Sequence, residues 1–218
     1  MEAFCQDIAG MFDVTMDCRQ QNSCIETVHG LQKQYINNAT VISVKATGHL
    51  NGTFHLIFDR EGLFTFAGII VMQPKQKIIE NRKKGTLAET ENIRDAIKEG
   101  GNLLAGSWNR ICLKIWCNNN HLIHTGTFIG SPWSNPQESI QAADNEEFIY
   151  IPCEMTIADY PAFKCGVIYP KDIQNPAADD AGEKTAVQDE KPQELAAQQS
   201  PQIQEKPAAV EKKADPAQ

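Results

Sequence analysis

Four residues of this chain combine chemically useful side chains with a regular spacing: Asp95, Glu99, Asn102 and Gly106, at i, i+4, i+7 and i+11. On a helix these positions stack along one stripe. The stripe would carry an acid, a second acid, an amide and a stretch of bare backbone. A carboxamide both accepts from and donates to water without adding charge. Gly100 and Gly101 fall in the middle of the same segment. Each costs a helix about 1 kcal/mol relative to Ala, so the pair asks for a reason, such as close approach of another backbone. Taken alone, the pattern favours a solvated polar helix face with its glycines under a packed strand.

The elements that must position this stripe follow from periodicity. Phe4, Ile8, Met11 and Phe12 sit at helical spacing, whereas residues 13–38 are polar and carry no clear period. Val41 to Leu50 and Thr53 to Phe58 flank Asn51-Gly52, a pair that tolerates positive φ and signals a hairpin. Asp59 can cap a helix whose face is Leu63, Phe66, Ala67 and Ile70, and Pro74 with a basic loop around Arg82, Lys83 and Lys84 ends it. The stripe then lies on a helix from about Glu89 to Trp108, started by Thr86 with Glu89 or Thr90 and buried through Ile93, Ala96, Ile97, Leu103 and Leu104. Ile111, Leu113 and Ile115 alternate, which predicts a strand from Arg110 to Cys117. Asn118-Asn119-Asn120 is a turn, and strands follow at His121–Ile129, Glu147–Ile157 and Ala162–Ile168. Helix, hairpin, two helices and four strands give an α+β domain of antiparallel sheet packed with helices. Trp108 and Trp116 are expected to share one packing cluster.

Of the 218 residues 41% are hydrophobic, enough for one core, and the net charge of −8 argues against a phosphate-tracking surface. No nucleic acid partner is expected. No basic segment followed by an apolar run opens the chain, and no apolar run is long enough to cross a membrane, so the expectation is a cytoplasmic protein without membrane insertion. After Tyr169 there is no aromatic residue, and Ala, Gln, Glu, Lys and Pro dominate. The division is therefore a folded domain over 1–172 and a disordered tail over 173–218. The seven cysteines are odd in number and form no CxxC pair, so reduced thiols and no metal are expected. Cys117, His121 and His124 lie close in sequence, but their spacing is no recognised zinc pattern. No phosphate loop or nucleophile elbow occurs, and Ser107 has no histidine placed to activate it.

The stretch DAIKEGGNLLAGSW, Asp95 to Trp108, resembles the signature helix of the CheC/CheX/FliY family of response-regulator phosphatases. That motif runs Asp or Ser, Glu, Asn and, further on, Pro. Asp95, Glu99 and Asn102 fill the first three places at the family's spacing, and Ala105 and Gly106 supply its small residues. Thr125 holds the place of the Pro, which bears on the backbone beside the site more than on its chemistry. Helix, hairpin and helix over roughly residues 1–170 fall in the order of a CheX-like domain, and no second Glu-x-x-Asn helix occurs in residues 1–80.

The resemblance implies a protein aspartyl-phosphate phosphatase acting on a phosphorylated response-regulator receiver domain of CheY type. Asn102 would position the attacking water, and Glu99 would pair with the receiver's active-site lysine. Asp95 and Gly106 would orient the helix or meet the partner's rim. The protein would need no cofactor of its own, Mg²⁺ residing on the receiver. The resemblance also implies homodimers joined through their sheets, with the strands at 147–168 offering an edge. The alternative is a non-catalytic docking module for a response regulator or a chemotaxis or flagellar partner.

Overall fold

The computed structural model describes residues 1–171 apart from 37, 49, 87–89, 117–119 and 144. The described residues belong to one compact unit, Met1–Ala181. The tail expected over 173–218 lies outside them.

The hairpin forms where Asn51-Gly52 marks it. Strand β3 (Ala39–Gly48) pairs antiparallel with β4 (Gly52–Phe58), Ala46 facing Gly52. The connection is wider than a two-residue turn, and glycine supplies positive φ at both Gly48 (112°) and Gly52 (149°). Helix α3 (Arg60–Ile70) follows directly. The Asp59 side chain accepts from Gly62 N at 2.7 Å as its cap, and also from Lys164 N at 2.8 Å. That second bond ties the start of α3 to strand β7 (Phe163–Pro170), which pairs with β4.

The polar stretch 13–38 is ordered. Beyond α1 (Glu2–Phe12) come β1 (Met16–Gln20), β2 (Cys24–Thr27) and α2 (Val28–Gln34). Both strands are short and mostly exposed, so neither carries a period of its own. They form because β6 (Glu147–Ile157) offers its backbone to both along its length, while β7 takes its other side. With β5 (Asn120–Gly130) beside β3, the antiparallel sheet runs β1–β6–β7–β4–β3–β5, with β2 also on β6. The strands at 147–168 are thus interior and offer no edge for dimerisation.

The basic loop expected at Arg82 to Lys84 is instead the last turn of α4 (Lys75–Lys84). Arg82 is buried there, donating to Glu61 O at 3.3 Å, to Pro161 O at 2.9 Å and to the Thr65 hydroxyl. These partners are distant in sequence, so local pattern does not show them. The strand expected over Arg110–Cys117 is also absent. Helix α5 (Arg94–Trp116) runs through it after a 3₁₀ turn at Glu91–Ile93. Ile111 and Ile115 are also i and i+4, so their alternation fits a helix equally well. The expected helix start at Glu89 lies outside the described residues.

Helices α1, α3 and α5 cover one face of the sheet. Phe4, Phe66, Phe58 and Phe163 form a chain of rings with centroids 5.4–6.0 Å apart in that core. The other face carries Val28 and Leu31 of α2 and Tyr35 just after it, with Trp133, Ile140, Phe148 and Tyr150. His55 is buried on that side, its Nδ1 2.9 Å from Ser43 Oγ. Burial holds its pKa down at about 4.

Candidate functional site

Helix α5 turns two flanks to two different parts of the protein. On the buried flank Ile97, Leu104 and Ala105 meet the core. Gly100 is there because the Phe66 ring of α3 lies where its side chain would be, 2.4 Å from an ideal Cβ. Gly101 has a different neighbour. The His124 ring of β5 would stand 2.7 Å from a Cβ at 101. The pair admits two side chains, rather than the second backbone expected from sequence.

On the outer flank Asp95, Glu99, Asn102 and Gly106 are all exposed, as the spacing requires. Asp95 is 95% exposed and pairs with Lys98 at 3.2 Å, a contact of little energetic weight in water. A Cβ on Gly106 would meet nothing within 4 Å. Asn102 Nδ2 donates to Glu99 Oε2 at 3.3 Å, and Asn102 Oδ1 lies 3.2 Å from His124 Nδ1. The far nitrogen of that ring, Nε2, is 2.9 Å from both Gly126 O and Thr127 Oγ1. Glu99, Asn102 and His124 are therefore one hydrogen-bonded line ending on the β5 backbone.

The line has a donor–acceptor order. Asn102 Oδ1 only accepts, so His124 donates to it from Nδ1, and Thr127 Oγ1 can donate to Nε2. That leaves Asn102 Nδ2 for Glu99 and for a solvent molecule.

A bulge aims the histidine. Along β5, Ser43 of β3 faces Gly126 and Val44 faces His124, so Thr125 is skipped. The extra residue keeps Leu122 and His124 before it, and Thr127 and Ile129 after it, on the helix side. Thr125, the bulged residue, donates its hydroxyl to Ser43 O at 3.2 Å. Asn109 fixes the spacing between α5 and β5, bonding Leu122 N at 2.7 Å and Leu122 O at 2.5 Å. Neither Asn109 nor the role of His124 was read from sequence. Strand parity, counted back from the position of Thr125, is the signal that would have found the histidine.

Next to Asn102 a depression of about 370 Å³ opens between α1 and α5, lined by Asp7, Gly10, Met11, Asn102, Gly106 and Arg110. Asp7 bonds both Ser107 and Arg110, and the Ser107 hydroxyl, then Arg110, hold its carboxyl below the usual range. Met11, at 56% exposure, gives the rim an apolar spot. Trp108 packs on Phe54 with centroids 5.7 Å apart, while the Trp116 side chain is not among those described. Cys117 of the imagined metal group lies outside the described residues, and His124 is committed to Asn102.

No family model matches the chain, and no curated protein matches it. Solved structures do. FliY of Thermotoga maritima aligns over 79% of this chain and 84% of its own at 14% identity and a TM-score of 0.58. FliM in the FliG–FliM complex of H. pylori aligns over 79% and 86% at 11% identity and a TM-score of 0.53. FliM in the FliM–SpeE complex of H. pylori gives 78%, 80%, 10% and 0.52. The fold is that of the CheC/CheX/FliY family. Within the CheC/CheX/FliY fold of this chain, the exposed stripe sits on the long helix that crosses the sheet beside β5. Among the described residues, no helix is long and apolar enough to cross a membrane.

Proposed function

We propose that this domain docks on a phosphorylated receiver domain and hydrolyses its aspartyl phosphate. The observation that carries the reading is the Glu99–Asn102–His124 line, exposed on a helix of a FliY-like fold. An aspartyl phosphate is already activated, so a catalyst chiefly has to hold a water in line with the phosphorus. Asn102 does this with the Nδ2 hydrogen not given to Glu99. Its uncharged amide adds no repulsion near the phosphoryl group. Glu99, one turn earlier, pairs with the receiver's lysine and sets the docking register. His124 is a positioning residue that fixes which end of the amide faces outward. Gly106 lets the partner's backbone approach, and Asp95 meets its rim. Mg²⁺ belongs to the receiver, where it neutralises phosphoryl charge.

Phosphate release from a panel of Mg²⁺-bound phosphorylated receivers, with the receiver saturating, tests this. Faster release with wild type, lost in Asn102→Ala, is the expected result. Unchanged lifetimes across the panel would leave the second reading, a docking module without turnover. That reading is favoured by one observation: FliM structures of this fold include complexes with FliG and with SpeE.

A further inference from the structure

Four of the seven cysteines converge at a place the proposed site does not use. Cys153 on β6 faces Cys165 on β7 directly, and Cys18 on β1 lies diagonally across β6, since Gln20 is the residue opposite Cys153. The three Sγ atoms lie within 4.8 Å of one another. Cys5 of α1, the helix packed against β1, approaches Cys18 from the helix layer. Three donors thus form a triangle on the sheet, and a fourth comes from the helix layer. Cys5, Cys153 and Cys165 are buried, while Cys18 is partly open and gives a path from solvent.

We propose that Cys18, Cys153 and Cys165, completed by Cys5, form a thiolate site for a thiophilic divalent cation, Zn²⁺ above all. Zn–S bonds of about 2.3 Å in a tetrahedron put sulfurs ~3.8 Å apart. The three thiols on the sheet, within 4.8 Å of one another, need to close by only about 1 Å. Each Sγ–H gives its proton to solvent as its Sγ–Zn bond forms, with no change of oxidation state. Buried thiols also pack as small hydrophobes, as Cys112 does in the core. What packing does not require is four thiols from four elements meeting, when the same layer uses Met155, Ile157, Phe163 and Val167 elsewhere. The sequence expectation of separate reduced thiols had no view of the register that pairs β6 with both β1 and β7.

The test uses the full chain, reduced and stripped of metal under anaerobic conditions. Titration with Co²⁺ should give a thiolate-to-metal charge-transfer band saturating at about one ion per chain, and Zn²⁺ should displace it and raise the melting temperature. Cys18→Ser and Cys165→Ala should abolish the band, whereas Cys24→Ser, at an exposed thiol, should retain it. Cys18 is partly exposed, so Cys18→Ser keeps the test valid if Cys165→Ala does not fold. Absence of the band in folded wild type overturns the proposal. So does a band that survives Cys18→Ser, or a Cys153–Cys165 disulfide that persists in place of metal when the protein is purified with zinc present.

Discussion

Gly100 and Gly101 are adjacent on one helix, yet they serve opposite regions of the molecule. Gly100 yields to Phe66, whose ring is fully buried. Gly101 yields to His124, whose contacts lead outward to Asn102 and Glu99. The buried flank has no slack, because interiors are close-packed and a misplaced methyl group displaces ring against ring. The outer flank is held by single hydrogen bonds at 3.2–3.3 Å and can shift without unfolding anything. The lesson is that the candidate site can be lost without the fold, while the converse does not hold.

The largest expected effect belongs to the interior. His55 is buried and neutral, with a folded-state pKa of about 4 against ~6.5 unfolded. The unfolded state binds the proton more tightly, so this contribution is fully present above about pH 6.5 and is lost as pH falls towards 4. It amounts to about 3 kcal/mol. Urea unfolding between pH 7 and 4 should show the decline, and His55→Gln should flatten it. A wild-type stability that is level across this range would break the assignment.

Next in size is Asn102→Ala. Turnover on the cognate receiver should fall on the order of a hundredfold, about 2.7 kcal/mol, with the melting temperature unchanged. A stability loss matching the rate loss would erase the distinction between the flanks. Gly100→Ala should cost about 1–3 kcal/mol by overpacking against Phe66, offset by about 1 kcal/mol of helix propensity. Its turnover per folded molecule should equal wild type. Gly101→Ala should do the reverse, lowering turnover about tenfold by displacing His124 and holding stability within about 1 kcal/mol. Comparison of its pH–rate profile with that of His124→Gln separates loss of positioning from simple crowding. Asp95→Ala should be the mildest, within about 0.5 kcal/mol in stability, with docking little changed.

What sequence made legible was local. The Asn51-Gly52 hairpin, the Asp59 cap and the acid–acid–amide stripe each depend on residues within a few turns of one another, and each is where its pattern places it. What escaped depended on distant partners. β1 and β2 exist because β6 accepts them, and the last turn of α4 is held by the bonds of Arg82 to residues 61 and 161. The reach of α5 beyond Trp108 was hidden by a pattern that satisfies both periods. His124 was visible as a residue but not as a neighbour, because its aim depends on the bulge at Thr125.

The placement of β6 next to both β1 and β2 has a consequence for synthesis on the ribosome. Met16 must wait for Ile157, its partner across the sheet, before it can pair. The β3–β4 hairpin, α3 and α5 emerge earlier and can assemble among themselves, whereas contacts spanning nearly the whole domain close last. Until β6 is released, a nascent chain holds Cys5 and Cys18 but neither Cys153 nor Cys165, with β1 and β2 as unpaired strands open to chaperones. The last strands to leave the tunnel therefore commit both ends of the domain at once.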